Sequence, residues 1–216
     1  MNVIELFSSI DGEGKRQGFL TTFLRLHDCN IRCSYCDTLY SYGPESTFES
    51  MSVQAVADVI EQLENHRITV TGGEPLLQES AIIELIDELT RRNARYDFNI
   101  ETNGTIIPSF HRDNVWFTYD YKTPSSLAED AMNLDIFKVA TPADIIKFVV
   151  GSMQDLDRMD EILKTYPTDA QIFVSPVWGN IEGATIIEYM KAHNWQNVRF
   201  QLQIHKFIWD PDAKGV

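Results

Sequence analysis

The chain is short of several things, and each shortage excludes something. Three cysteines in 216 residues leave no disulfide framework to build. No apolar run approaches the ~20 residues needed to cross a bilayer as a helix. The opening Met-Asn-Val-Ile-Glu-Leu-Phe has neither the basic nor the apolar region of a secretory leader. Positive charge is scarce: 18 lysines and arginines against 32 acids give a formal net charge of −14. That balance speaks against a polyanion-binding surface, and so against tRNA or DNA as a partner. Repeats, low-complexity tracts and linker-like stretches are missing too, so a single domain spanning residues 1–216 is expected. With 44% hydrophobic residues the chain can fill a substantial core. The expectation is a cytoplasmic protein that handles a small molecule.

What the chain does have is concentrated. All three cysteines, Cys29, Cys33 and Cys36, fall in Cys-Asn-Ile-Arg-Cys-Ser-Tyr-Cys. Soft thiolates select zinc, copper(I) or iron–sulfur clusters. A closed structural site takes four protein ligands, and no fourth stands nearby. A zinc knuckle completed by a histidine such as His27 and a trio of unrelated buried thiols remain as bland readings. Zinc sites usually bring paired histidines or a second Cys-x2-Cys, and neither occurs. A cluster with one iron left open to another molecule is the better reading.

Short apolar runs bounded by polar turns alternate with amphipathic segments. Strands are expected at residues 22–26, 68–71, 98–101, 115–120, 145–150 and 172–174, with a last one near 198–203. Helices are expected over 52–63, 80–91, 152–164, where Ser152 reads as an N-cap, and 184–193. Strand then helix, repeated, implies parallel pairing with right-handed crossovers. The chain is too short for eight strand–helix units, so an α/β fold, a partial barrel of about six strands, fits best. Residues 43–50 read as loop, and 103–114 is too irregular for a crossover helix. The polar, glycine-rich segments recur just after strands, at the carboxyl ends where parallel sheets build their sites.

Those segments carry the candidate chemistry. Asp37-Thr38 follows the third cysteine; it is an ordinary turn by itself, but a threonine hydroxyl suits a hard cation such as magnesium. Thr71-Gly72-Gly73-Glu74-Pro75 is either a strand–helix turn or a ligand cradle, with Glu74 able to accept from an ammonium group. Glu101-Thr102-Asn103-Gly104 and Asp120-Tyr121-Lys122 end two further strands, and Lys122 is either a solvated lysine or the partner of a carboxylate.

Taken together, the cysteine loop and Gly72-Gly73-Glu74-Pro75 resemble the radical S-adenosylmethionine superfamily. Its three-cysteine loop holds a [4Fe-4S] cluster, and its Gly-Gly-Glu-Pro element binds the cofactor's amino group. Ser8-Ser9-Ile10-Asp11-Gly12-Glu13-Gly14, Phe23-Leu24-Arg25-Leu26, Cys36-Asp37-Thr38 and Gln203-Ile204-His205-Lys206 narrow the resemblance to the 7-carboxy-7-deazaguanine synthase family. Glycyl-radical activating enzymes have Asp-Gly-Pro-Gly where Glu13 stands here. The resemblance implies a partial (β/α)6-type TIM barrel with some helices reduced, and a carbon–nitrogen lyase. Cys29, Cys33 and Cys36 are then the cluster ligands. Tyr35, Cys36, Asp37, Gly73, Glu74, Asp120, Lys122 and Ser175 flank S-adenosyl-L-methionine, and Thr38 binds magnesium. Ile10, Asp11, Gly12, Glu13, Arg25, Thr71 and His205 surround the substrate, 6-carboxy-5,6,7,8-tetrahydropterin, with Arg25 on its carboxylate. The resemblance also implies a radical ring contraction with loss of ammonia in queuosine and 7-deazapurine biosynthesis, an electron donor such as flavodoxin, and a homodimer. Many relatives have glutamine at the positions of Asp11 and Ser175 and Ser-Pro in place of Asp120-Tyr121, and the tail at 209–216 is longer than in some. A glycyl-radical activase and a non-catalytic iron–sulfur or zinc protein are the competing readings.

Overall fold

The computed structural model describes residues 1–211 and 213–215. Strands β1 (Asn2–Ile10), β2 (Leu20–Leu26), β3 (Glu49–Ser50), β4 (Arg67–Gly72), β5 (Asp97–Thr102), β6 (Val115–Tyr121), β7 (Ile145–Val150), β8 (Gln171–Pro176) and β9 (Val198–Phe200) form one sheet in the order β3-β1-β2-β4-β5-β6-β7-β8-β9. From β2 to β9 every pairing is parallel, whereas β1 runs antiparallel to both β2 and β3. The seven expected strands are therefore all present and run parallel to one another. The expectation missed the antiparallel ribbon at one edge and β3 inside the presumed loop 43–50, and it made β9 three residues too long.

The helices α1 (Val53–Gln62), α2 (Glu79–Arg92), α4 (Met153–Thr165) and α5 (Gly183–Ala192) follow β3, β4, β7 and β8. Ser52 caps α1 by accepting from the amide of Ala55, and Ser152 caps α4 by accepting from that of Asp155, each satisfying an orphan donor of the first turn. The crossover from β5 to β6 has no helix, and that from β6 to β7 holds only 3-10 turns and the four-residue α3 (Ile136–Val139).

Most buried parallel strands are apolar on both faces; these are not. Leu24, Ile68, Val70, Phe98, Ile100, Phe117, Tyr119, Ile146 and Phe148 belong to the core packed against the helices. The residues alternating with them, Arg25, Thr69, Thr71, Asn99, Glu101, Thr118, Asp120 and Lys147, point to the opposite face. That face curls into a polar lumen. The sheet does not close by strand pairing, since β3 and β9 are its edges. Its seam is instead stitched by the loop after β1: Gly14 and Gln201 exchange hydrogen bonds of 2.7 and 3.0 Å, and the amide of Ile204 donates to the carbonyl of Gly12.

Candidate active site

At the carboxyl end of the sheet, where β2 leaves the barrel, the chain reverses through Asp28, whose φ is +81°. Aspartate tolerates that left-handed geometry better than most residues, and its Oδ1 accepts from the amide of Cys29 at 2.7 Å. The cysteine loop that follows is held from three sides. Arg32 donates to the carbonyls of Cys29 and Ile31, Ser34 to those of Ser125 and Ser126, and Asn103 Nδ2 lies 3.7 Å from Cys29 Sγ.

Gly72 and Gly73 serve that bracing. A methyl group on Gly72 (φ +145°) would lie 2.2 Å from the carbonyl oxygen of Leu26, and one on Gly73 2.0 Å from that of Asp28. The glycines thus let main chain pass against main chain. Glu74, expected beside the cofactor, is not among the residues that line the cavity. It is fully buried behind the wall, and its carboxylate accepts from the amides of Leu76 and Asn103 and from the hydroxyl of Thr102, at 2.7–2.9 Å. Ser175, also expected beside the cofactor, is fully buried on β8 with its hydroxyl unpartnered among the described residues, and it does not line the cavity.

Every other site residue expected from the sequence lines one cavity of about 580 Å³. Cys29, Cys33, Tyr35, Cys36, Gly73, Asp120 and Lys122 stand at one end; Ile10, Asp11, Gly12, Glu13, Arg25, Asp37, Thr38, Thr71 and His205 complete the lining. His205 lies against Gly12, where an added methyl would sit 2.0 Å from Nδ1. Burial holds the His205 pKa below the usual histidine value. Arg25 pairs through Nε with Glu5 at 2.6 Å, and Tyr40 donates to the same Glu5 oxygen. Thr38 donates to Asp37 Oδ1 at 2.9 Å, and Lys206 reaches Oδ2 at 3.3 Å. Pro211 and Lys214 line the mouth; the terminal carboxylate of Val216 lies outside the described residues.

The lumen is a mosaic of charge. Lys147 Nζ sits 2.6 Å from Glu13 Oε2 and 3.6 Å from Asp120 Oδ2, and Lys122 Nζ is 3.0 Å from the same Asp120 oxygen. Burial drives the Glu13 carboxyl upward, but Lys147 and Gln203 outweigh it and hold the acid below its ordinary value. Asp11 has the opposite fate. Burial first, and then the neighbouring Glu101, push it up to about 7. Lys147 is a site residue the sequence did not single out, and Gln203 and Glu101, which stand in segments it did, were given no role of their own. A lone lysine inside the apolar Ile-Ile-Lys-Phe-Val-Val of β7 was the available signal, because a buried cation demands a partner.

A partly closed parallel barrel with a three-cysteine loop at the carboxyl ends of its strands defines a radical S-adenosylmethionine protein. The family model "Radical SAM superfamily" matches residues 25–166. The chain is 37% identical over 99% of its length, and 98% of the relative's, to the 7-carboxy-7-deazaguanine synthase of Clostridium acetobutylicum, and 36% identical over 98% of its length to that of Methanospirillum hungatei, 86% of which is covered. Among solved structures, QueE from Escherichia coli superposes with a TM-score of 0.69 at 25% identity, covering 93% of this chain and 92% of that one. The chain belongs to the 7-carboxy-7-deazaguanine synthase family of radical S-adenosylmethionine lyases. Membership brings a [4Fe-4S] cluster and S-adenosylmethionine as cofactors.

The residues fit both groups. The three thiols are free and half-buried on one wall of the cavity. Among the described residues no three His, Cys, Asp or Glu side chains gather round a single ion. Burial raises the pKa of Cys29, and that of Cys33 to about 11, so the thiolates rely on the bound iron for stabilisation. For S-adenosylmethionine the cavity offers Lys122 as a cation and Asp120 with its Oδ1 buried and unpaired among the described residues. No helix among the described residues is long and apolar enough to cross a membrane.

Proposed function

We propose that the protein converts 6-carboxy-5,6,7,8-tetrahydropterin to 7-carboxy-7-deazaguanine with loss of ammonia, a step in 7-deazapurine biosynthesis. One observation carries the reading: a single cavity of about 580 Å³ joins the three-cysteine wall to Arg25 and Glu13. When bound, the cluster and S-adenosylmethionine supply an electron and a carbon radical able to take hydrogen from a C–H bond. The chain's own residues do the rest by positioning. Arg25, oriented by Glu5, meets the substrate carboxylate with its planar guanidinium. Glu13, kept ionised by Lys147, accepts from the guanidine-like edge of the pterin. Asp11, Thr71 and His205 close round the ring, and Gly12 leaves room for His205. Tyr35, Asp120 and Lys122 receive the cofactor, with Lys122 on its carboxylate. Thr38 would offer its hydroxyl oxygen to a magnesium ion, a hard cation that would help hold the substrate's oxygens. The protein works in the cytoplasm as a homodimer, with flavodoxin or a similar protein as electron donor. The glycyl-radical activase reading is not favoured, because the full-length relatives share the synthase name.

The test is anaerobic turnover of the cluster-loaded protein with the carboxytetrahydropterin, S-adenosylmethionine, magnesium and a reductant, with the carboxydeazaguanine product identified by mass. Absence of product from protein with an intact cluster overturns the reading. In the same assay Arg25→Ala keeps full iron content but weakens pterin binding about 10- to 100-fold, the worth of a hydrogen bond to a charged group.

A further inference from the structure

Four charges of alternating sign run across the lumen from the pterin side of the cavity to the cofactor side. Glu13 comes from the loop after β1, Lys147 from the middle of β7, and Asp120 and Lys122 from the end of β6. Their order is not incidental. Asp120 and Lys147 are register partners across the β6–β7 ladder, and Lys122, two residues on, shares the face of Asp120. All four are well covered, with side chains 12%, 10%, 22% and 12% exposed in the order of the row. The row is also unevenly paired. Lys147 leans to Glu13 at 2.6 Å and keeps 3.6 Å from Asp120 Oδ2, the oxygen that Lys122 holds at 3.0 Å. Asp120 Oδ1, meanwhile, is buried with no partner among the described residues, so this carboxylate has room for one more donor.

We infer that Lys147 is a positioning residue that couples the two halves of the cavity, so that occupancy of Glu13 by a hydrogen-bond-donating ring strengthens the grip of Lys122 on a carboxylate. Donors from the ring compete with Lys147 for Glu13. The ammonium of Lys147 then turns toward Asp120, whose spare oxygen can take it. Asp120, shared with Lys147, releases part of its hold on Lys122, and the freed cation meets the carboxylate of an amino acid-like ligand. Glu13 exchanges an ion pair for neutral hydrogen bonds and keeps that from Gln203, while Lys147 passes from one carboxylate to another, so each charge keeps a polar partner. This rests on the proposed substrate and cofactor placement, and it adds that the two ligands bind cooperatively through one lysine. Glu101 of β5 is a third acid facing Lys147, but among the described residues only Glu13 and Asp120 stand within ion-pair distance of its ammonium.

The experiment is calorimetric binding of S-adenosylmethionine to cluster-loaded protein without reductant, with and without saturating carboxytetrahydropterin, so that nothing turns over. For the wild type, pterin tightens cofactor binding about 10-fold, within the usual range of coupling between sites, and by linkage the cofactor tightens pterin binding equally. Lys147→Met brings the factor to about one, and Lys147→Arg, which keeps the cation, restores part of it. Asp120→Asn also abolishes the factor while leaving the Glu13–Lys147 pair, and serves where Lys147→Met does not fold. An undiminished factor in either variant, or independent binding in the wild type, overturns the inference alone. A wild type that binds the cofactor but not the pterin fells the substrate assignment, and this coupling with it.

Discussion

Two walls of the same cavity treat buried carboxyl groups in opposite ways. On the brace wall, formed where β4 and β5 end, Glu74 is fully buried yet accepts two main-chain amides and a threonine hydroxyl. On the lumen wall, Asp11 is 2% exposed but accepts only two long bonds, 3.4 Å from the amide of Glu13 and 3.3 Å from the hydroxyl of Thr69, and it faces another acid, Glu101. The brace wall is fully matched from within the chain and holds the cysteine loop still. The lumen wall is under-matched and awaits donors from outside. A segment that resembles a ligand motif can therefore be structural, while the residues left short of partners mark where a ligand belongs.

The comparison breaks most visibly at Gly73. A methyl group there would stand 2.0 Å from the carbonyl oxygen and 2.5 Å from the carbonyl carbon of Asp28, and 2.7 Å from Cys29 Cβ. Main chain cannot swing aside, so Gly73→Ala is expected to cost more than about 3 kcal/mol or displace the cysteine loop. Iron content and visible absorbance after anaerobic reconstitution read the result. A variant that loads a full cluster and denatures like the wild type shows that the brace is not needed.

Asp11→Asn sharpens the other side. The folded protein keeps the Asp11 proton up to about pH 7, because burial and Glu101 disfavour the charge, whereas the unfolded chain gives it up near pH 4. The folded state therefore binds more protons in that window, and stability is greatest below it, falls as pH rises through it, and is level above. The fall is roughly 3 kcal/mol between pH 4.5 and 7. Asparagine cannot ionise, so the variant loses that slope and gains on the wild type at neutral pH. Urea denaturation of both proteins across the window decides it, and parallel curves would mean that Asp11 titrates as if exposed.

The contrast also shows what a sequence makes legible. The parallel strands were readable because each is a short apolar run ended by a turn, and α1 and α4 because Ser52 and Ser152 cap them. The cysteine loop was readable because its ligands are local. β1 was not: only Val3 and Ser9 are buried along it, and its Asn-Val-Ile-Glu-Leu-Phe-Ser-Ser-Ile shows neither strict alternation nor a continuous apolar run. Lys147 and Gln203 meet Glu13 from 134 and 190 residues away, and only the closing of the seam brings them together. The partners of Glu74 were hidden for the same reason. Its donors Thr102 and Asn103 lie 28 and 29 residues on, at the end of the next strand, and no local pattern announces that they will use up its oxygens.

That account of Glu74 makes the smallest of the three effects the most discriminating. Glu74→Gln preserves shape but replaces one acceptor oxygen with a donating amide NH2, which then faces the amide of either Leu76 or Asn103. Leaving one buried donor unpaired costs about 2 kcal/mol. Removing a charge that burial disfavours returns part of that, since the Glu74 carboxyl is held above its ordinary value. The net loss appears in urea denaturation of the cluster-free protein. It is transmitted toward the cluster through Asn103, whose side chain bonds Asn30 at 2.9 Å and approaches Cys29. If Glu74 is a strut, the variant is less stable but binds S-adenosylmethionine about as well once its cluster is loaded. If it is a ligand to an ammonium group, stability stays near that of the wild type and cofactor affinity falls. The same substitution tests the brace wall directly, because there an acid-to-amide change should register in folding and not in cofactor binding.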